Sequence, residues 1–166
     1  MHILKIVLML AALSSAAWAT PKLSILKINS EPKGETIEFN GGWTPDVPRL
    51  AVDVRSSENV PSKNLVAKVY FFDGSKTKLG EPVKLVRAHR QEKGETSWLA
   101  WPAETLEAND KWTIYFPVPK SIDKKWINAI VVIGANGQWS AKVRGSGNLA
   151  DFDFPEKSKL VDLAAK

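Results

Sequence analysis

From residue 22 to residue 145 the chain alternates short runs of β-branched and aromatic residues with clusters of Gly, Pro, Asn, Asp and Ser. Such runs are typical of β-strands, and no helical period interrupts them before the C-terminal tail. The pattern favours an all-β fold, a single antiparallel β-sandwich of about 7–9 strands, with a barrel as the other arrangement. The predicted strands lie at 22–29, 36–40, 49–56, 65–73, 82–89, 111–118, 126–134 and 138–145.

The alternation within the strands predicts which side chains face the core. Leu50, Val52 and Val54 fall on one side of their strand and Asp53 falls on the other, which is typical of a strand with one buried face. The strand at 126–134 is apolar at nearly every position. It is therefore predicted to be a central strand that is covered on both faces.

Two glycine-containing pairs, Asp73-Gly74 and Asn136-Gly137, predict tight turns. Gly and Asn favour such turns because they tolerate the positive φ that a short hairpin requires. Each pair follows a predicted strand, so each is expected to begin a hairpin.

The register of the second hairpin depends on its loop length, which the sequence leaves open. A three-residue loop would place Val131 and Ile133 on the face of Trp139, whereas a two-residue turn would place Ile130 and Val132 there. In either register Trp139 shares its face with the later apolar residues of its own strand. We therefore predict that Trp139 belongs to the core.

The last three predicted strands, at 111–118, 126–134 and 138–145, resemble in their order the last three strands of immunoglobulin-like and fibronectin type III-like sandwiches. The resemblance implies an immunoglobulin-like architecture for most of the chain. The chain has no cysteine, so the cysteine pair of true immunoglobulin domains is missing. A likeness of fold implies no functional residues.

The N-terminus has the three parts of a secretory signal peptide, with Lys5 before an apolar run at 6–13 and small residues leading to Ala19. We expect cleavage after Ala19, and a retained N-terminal anchor is the alternative. No integral membrane segment is expected after cleavage, because the apolar run is shorter than the roughly 18 residues of a spanning helix. The prediction is a bacterial protein that is secreted or periplasmic.

Removal of residues 1–19 leaves a length that suits one domain. We predict a β-sandwich at 20–155 and a tail or short helix at 156–166. The formal net charge of the whole chain is +5. The basic residues are dispersed rather than arranged in a stripe, so nucleic acid is not an expected partner.

The chain is poor in the residues that carry most catalysis. Its two histidines include His89, which lies among basic residues that disfavour the imidazolium a general base must form. No metal site of His and Cys and no cofactor is predicted. Asn148, Asp151 and Asp153 could hold calcium, but their spacing fits no EF-hand, so solvated turn acids are the favoured interpretation.

An enzyme is the least supported class of function. Asp46, Glu104, Glu107 and Asp110 lie in predicted loops, where the paired carboxylates of a glycoside hydrolase could also lie. Nothing in the sequence distinguishes these four from ordinary surface acids. A hydrolase with such a pair is therefore the third hypothesis, and the prediction is that the chain is not an enzyme.

Two hypotheses of a binding function are favoured over the hydrolase. The favoured one is an interaction or structural module that docks a cell-envelope or extracellular protein through a sheet edge or an apolar face. The alternative is a carbohydrate-binding module, in which Trp43, Trp98, Trp101 and Trp126 would present exposed rings to sugars. In a regular strand the side chains of Trp98 and Trp101 point to opposite faces, so we predict one to be buried and Trp101 to be the surface residue.

Lys84, Arg87 and Arg90 form a candidate anion contact for either hypothesis. On one extended strand Lys84 and Arg90 would share a side, whereas Arg87 would lie on the other. The three then form no single patch unless a bulge intervenes. A charged, solubilising sheet edge is the simpler interpretation.

Overall fold

The computed structural model describes residues 23–31, 37–39, 42–44, 48–84, 87–92, 95–98 and 105–160. Side chains are described for 23–31, 48–84 and 105–160, and for the remaining ranges the backbone alone is described. Within these ranges the regular elements are β-strands and short 3-10 turns. None of the described helices is long and apolar enough to cross a membrane.

The strands form two larger sheets and two small pairs, and every pairing is antiparallel. The predicted all-β antiparallel fold is confirmed. One sheet has the order β1-β4-β11-β8-β9, the other has the order β13-β12-β6-β7, and β5 pairs with β10 and β2 with β3. The strands are β1 (Leu23–Glu31), β2 (Ile37–Phe39), β3 (Gly42–Thr44), β4 (Arg49–Ser56), β5 (Val60–Pro61), β6 (Val66–Phe72), β7 (Val83–Lys84), β8 (Arg87–Glu92), β9 (Glu95–Trp98), β10 (Thr105–Leu106), β11 (Lys111–Pro117), β12 (Asn128–Ala135) and β13 (Gln138–Arg144).

The main hydrophobic core is shared by the five-stranded and four-stranded sheets. Alternate residues of β4 and β11 enter it from one sheet, and alternate residues of β6 and β12 enter it from the other, because side chains of a strand point to opposite faces at each step. The central members are Leu50, Val52, Val54, Trp112, Ile114, Phe116, Val69, Phe71, Val131 and Ile133.

The prediction that only one face of β4 is buried is wrong. Asp53, on the opposite face to Val52 and Val54, is also buried. Its carboxylate accepts a hydrogen bond from the Thr113 hydroxyl at 2.8 Å and pairs with the Lys111 ammonium at 2.8 Å. β4 lies between β1 and β11, and these polar partners on β11 make burial of the charge tolerable.

A second hydrophobic cluster lies on the other face of the four-stranded sheet. Residues 149–160, here called the C-terminal segment, place Phe152, Phe154 and Leu160 against Tyr70 and Phe72. Because this cluster covers the second face, all of β12 is buried, which confirms the prediction of a strand covered on both sides.

The C-terminal segment differs from its predicted form. The alternation of Phe152 and Phe154 is typical of a short edge strand, but the segment contains two 3-10 turns, Leu149–Asp151 and Pro155–Lys159. Glu156 and Leu160 are buried, so the packed region extends past the predicted boundary at residue 155. The last predicted tail residues, 161–166, lie outside the described residues.

The predicted strand at 82–89 is divided between the two sheets. Val83–Lys84 pairs with β6, whereas Arg87–Glu92 pairs with β11 and β9. The chain therefore passes from one sheet to the other within this run. After Pro82 the run has no Gly, Pro, Asn, Asp or Ser that would reveal the crossing.

The hairpin between β12 and β13 has the two-residue turn. Ala135 pairs with Gln138, and both Asn136 and Gly137 have positive φ. In the Asp73-Gly74 turn, by contrast, the positive φ belongs to Lys76. The prediction that Gly74 supplies the positive φ of this turn is therefore wrong. There the Asp73 carboxylate holds the turn by accepting hydrogen bonds from backbone amides, as aspartate commonly does.

Trp139 is half-buried and packs at the margin of the second cluster, a shallower position than the predicted one. Its cross-strand partner is Gly134, and the indole occupies the space above this glycine. A Cβ built on Gly134 would lie 2.5, 2.6 and 2.8 Å from Cε3, Cδ2 and Cζ3 of the indole. Gly134 is therefore required by the position of the Trp139 ring.

We expect Gly134→Ala to lower the free energy of unfolding by about 1–2 kcal/mol, because the ring must move away from a well-packed position. Urea unfolding measures the change. The same substitution in a Trp139→Leu background should cost much less, since the opposing ring is gone. An equal cost in both backgrounds would show that the ring is not the cause.

Candidate functional site

The four candidate tryptophans lie in different parts of the fold. Trp43 is in β3 and Trp98 ends β9, where the backbone alone is described. Trp101 lies outside the described residues. Sugar stacking on these three, and the predicted burial of one of the pair Trp98 and Trp101, stay predictions.

Trp126 closes one end of the main core. It is half-buried, and its ring meets Phe71 edge-on with centroids 5.3 Å apart. The guanidinium carbon of Arg144 lies 5.5 Å from the centroid of the indole, within the range of a cation–π contact. A sugar that stacks on this ring would have to compete with Arg144.

The next residue, Ile127, is the most exposed large hydrophobic side chain among those described, at 56%. Its backbone amide donates to the Phe72 carbonyl at 2.9 Å, which fixes the residue at the end of the four-stranded sheet. Trp126, Ile127 and Arg144 are here called the terminal surface. It consists of an arginine and an aromatic ring that contact each other and of the exposed aliphatic residue that follows the ring in the chain.

The basic candidates do not share one strand. Lys84 is exposed in β7 of the four-stranded sheet, whereas Arg87 and Arg90 belong to β8 of the five-stranded sheet. In β8 their register partners are Tyr115 and Trp112 respectively. The assumption of one continuous strand, on which Lys84 and Arg90 share a side, is therefore wrong, and an anion contact stays a prediction.

A row of register partners crosses the five-stranded sheet from β4 to β9. Asp53 is the register partner of Thr113, Thr113 of His89, and His89 of Trp98. The first two are joined by the hydrogen bond described above. Sequence reasoning missed this row, because strand order within the sheet brings it together and no spacing along the chain indicates it.

Arg49 lies on the same face of β4 as Asp53. Its guanidinium pairs with Glu31 and lies 4.5 Å from the centroid of the Tyr115 ring. Arg49 and Tyr115 are both buried. The ion pair and the ring contact offset part of the cost of burying the Arg49 charge.

The described acidic candidates lie in or beside turns, and the hydrolase and calcium hypotheses stay predictions. Glu107 and Asp110 lie around the turn between β10 and β11. Asp151 accepts from the Asn148 amide and pairs with the Lys76 ammonium, each at 2.9 Å, and these contacts hold its pKa below the usual range. Among the described residues no group of three His, Cys, Asp or Glu side chains could hold a metal. Asp46 and Glu104 lie outside the described part of the chain.

The one buried carboxylate of the C-terminal segment, Glu156, binds two side chains of β6. Its oxygens accept from the Tyr70 hydroxyl at 2.6 Å and from the Lys68 ammonium at 2.9 Å. Burial alone would raise the pKa of Glu156, but the two hydrogen bonds and the charge of Lys68 outweigh it and lower that pKa. Burial, together with the bond to Glu156, raises the pKa of Tyr70.

A shallow pocket of about 300 Å³ lies beside this contact, between the C-terminal segment and the turn that follows β6. Lysine side chains and one carboxylate line it, with aromatic residues beneath. The Lys76 ammonium already pairs with Asp151. The lining residues are Phe72, Lys76, Lys78, Asp153, Phe154 and Pro155.

Comparison with known proteins adds no family. No protein-family model matches the chain, and no curated protein matches it. The function is therefore inferred from the geometry of the described residues.

Proposed function

We propose that the chain is a non-enzymatic immunoglobulin-like β-sandwich that binds a protein partner through the terminal surface. The proposed location is the periplasm or the exterior of a bacterial cell, supported by the signal-peptide pattern of residues 1–19. The observation that carries the proposal is the 56% exposure of Ile127 beside Trp126 and Arg144.

The order of the strands supports the immunoglobulin-like assignment. In such domains strands A, B, E and D form one sheet and strands C, F and G the other. Here the sheet β1-β4-β11-β8 has the order A-B-E-D, with β9 added at its edge, and the sheet β13-β12-β6 has the order G-F-C. In chain order, the strands A to G are then β1, β4, β6, β8, β11, β12 and β13. The short β7 then lies beside C, as the extra strand of variable-type domains does.

The residue types of the terminal surface support a protein partner. Tryptophan and arginine are the residues most enriched among those that dominate binding energy in protein interfaces. Here the ring packs edge-on against Phe71, and the guanidinium lies over the ring, so part of the side-chain entropy is already lost before binding. Ile127 adds apolar area that association would remove from water.

Site-specific photo-cross-linking tests the proposal. A photoreactive residue at Ile127 in the native host is expected to give a discrete adduct with one partner protein. Val66 is a matched control, because it is an exposed aliphatic residue at the opposite end of the four-stranded sheet. Absence of an adduct at position 127, or the same adducts at both positions, would contradict the proposal.

With the partner identified, Arg144→Ala combined with Ile127→Ala is expected to weaken binding by about 10–100-fold, as loss of a hot spot does. Titration calorimetry measures the change. A glycan recovered in place of a protein would favour the carbohydrate-binding alternative.

A further inference from the structure

The C-terminal segment contacts the four-stranded sheet in the way that a bound peptide contacts a receptor. Phe152, Phe154 and Glu156 are buried, whereas Asp153 and Pro155 between them are exposed. Phe152 and Phe154 have extended backbones and point to one side, and Glu156, in the 3-10 turn that begins at Pro155, reaches the same sheet through its carboxylate. The buried positions follow the pattern aromatic, any residue, aromatic, any residue, acidic.

Each of the three buried side chains has its own contact on the sheet. The ring centroid of Phe152 lies 4.9 Å from that of Phe72, and the ring centroid of Phe154 lies 6.0 Å from that of Tyr70. The Glu156 carboxylate is bound by the Tyr70 hydroxyl and the Lys68 ammonium, as described above. The sheet therefore offers two aromatic contacts followed by a carboxylate contact, here called the three-part groove.

The backbone of the segment is not part of the sheet. The backbone hydrogen bonds described for the segment lie within its own turns. For example, the Phe152 amide donates to the Leu149 carbonyl, and the Leu160 amide donates to the Lys157 carbonyl. No ladder pairing joins it to a strand among the described residues. Side chains hold it in place, so it can leave without breaking any strand pairing.

We propose that the three-part groove recognises a segment of a partner protein with the pattern aromatic-x-aromatic-x-acidic, and that the C-terminal segment occupies this groove in cis. The partner segment takes its place when the C-terminal segment leaves. This interaction goes beyond the terminal surface and uses other residues, so either proposal can fail without the other.

The linker from β13 to the C-terminal segment contains two glycines. Gly145 and Gly147 both have positive φ, which other residues rarely adopt. The linker is held to the sheet by the bond from the Ser146 amide to Asn128, so the part that leaves is the C-terminal segment beyond it. The cis arrangement gives the segment a high effective concentration, so a free partner must compete with it.

Peptide binding to the full chain tests the proposal. The probe is a fluorescent peptide of residues 148–160, measured by anisotropy against the wild type and against a chain with Phe152→Ala and Phe154→Ala, which leaves the groove intact. We expect the variant to bind the probe at least about tenfold more tightly than the wild type, because its own segment no longer fills the groove. A peptide of scrambled order is the control for non-specific binding.

The acidic position has its own control. A probe carrying Glu156→Gln is expected to bind the same variant about tenfold more weakly than the native probe, because the charge-assisted bonds to Lys68 and Tyr70 are lost. Should circular dichroism show that the double variant is unfolded, a chain with Glu156→Gln replaces it, with the same ranking expected. A folded variant that fails to bind the native probe, or that binds the scrambled one equally well, overturns the proposal.

Discussion

Replacement of Gly145 by alanine is expected to lower the free energy of unfolding by about 3 kcal/mol, whereas the same change at Gly80 should cost about 1 kcal/mol. Both glycines have positive φ, so both substitutions introduce backbone strain. They differ in what surrounds them. A Cβ on Gly80 would meet nothing within 4 Å, whereas a Cβ on Gly145 would collide with the Asn128 side chain.

The collision is costly because Asn128 is buried and fully used. Its Oδ1 accepts from the Ser146 amide at 2.9 Å, and its Nδ2 donates to the Asp73 carbonyl at 3.3 Å. The alanine methyl would also lie 3.0 Å from the Ile127 carbonyl oxygen. Movement of the amide would leave polar atoms buried without partners, which adds to the strain of positive φ.

Chemical denaturation of the two variants measures both changes. The comparison is informative because both variants carry the strain of an alanine at positive φ, whereas only Gly145→Ala also collides with Asn128. An Asn128→Ala background should bring the cost of Gly145→Ala close to that of Gly80→Ala. Equal costs of the two substitutions in the wild type would show that the packing around Gly145 is looser than the structure indicates.

The strands themselves were predictable because alternation is a local property. The predicted strand 49–56 coincides with β4, and the predicted hairpin at Asn136-Gly137 is present. The choice between its two registers was not predictable, because the sequence fits a two-residue turn and a three-residue loop equally well. Only the paired backbone shows that Ala135 and Gln138 face each other.

The contacts between sheets and segments were beyond local patterns. The run at 82–89 is divided between two sheets, and nothing in its residue types shows where the chain crosses. The burial of Asp53 depends on Thr113 and Lys111 of a strand that is distant in sequence. Of the terminal surface, sequence reasoning named Trp126 from its place beside a loop but gave no reason to join it to Arg144.

Glu156 was also missed, because a glutamate after a proline in a polar tail has the composition of a solvated turn. One signal was available. Phe152 and Phe154 stand two residues apart, as residues on one face of an extended stretch do, and Glu156 follows at the same interval. The interval is only a partial signal, because Pro155 begins a 3-10 turn and the alternation of an extended chain ends there.

The bonds of Glu156 predict how stability depends on pH. We expect Glu156→Gln to lower the free energy of unfolding by about 2 kcal/mol at neutral pH, because the charged acceptor of two bonds is replaced by a neutral one. The pKa of Glu156 in the folded chain lies below its ordinary value of 4.5. A lowered pKa means that the folded state favours the ionised form, so the stabilisation is present above the ordinary value and is lost as the pH falls through the folded value.

The difference between the wild type and Glu156→Gln should therefore stay constant from pH 7 to about pH 5 and shrink as the wild-type carboxyl takes up its proton. Urea unfolding at several pH values, with Asp151→Asn as the matched control, measures this. Asp151 also pairs with a lysine and has a lowered pKa, but it is exposed and is expected to give a smaller change at every pH. A difference that persists unchanged below pH 3 would show that the ionised carboxylate is not what holds the C-terminal segment to β6.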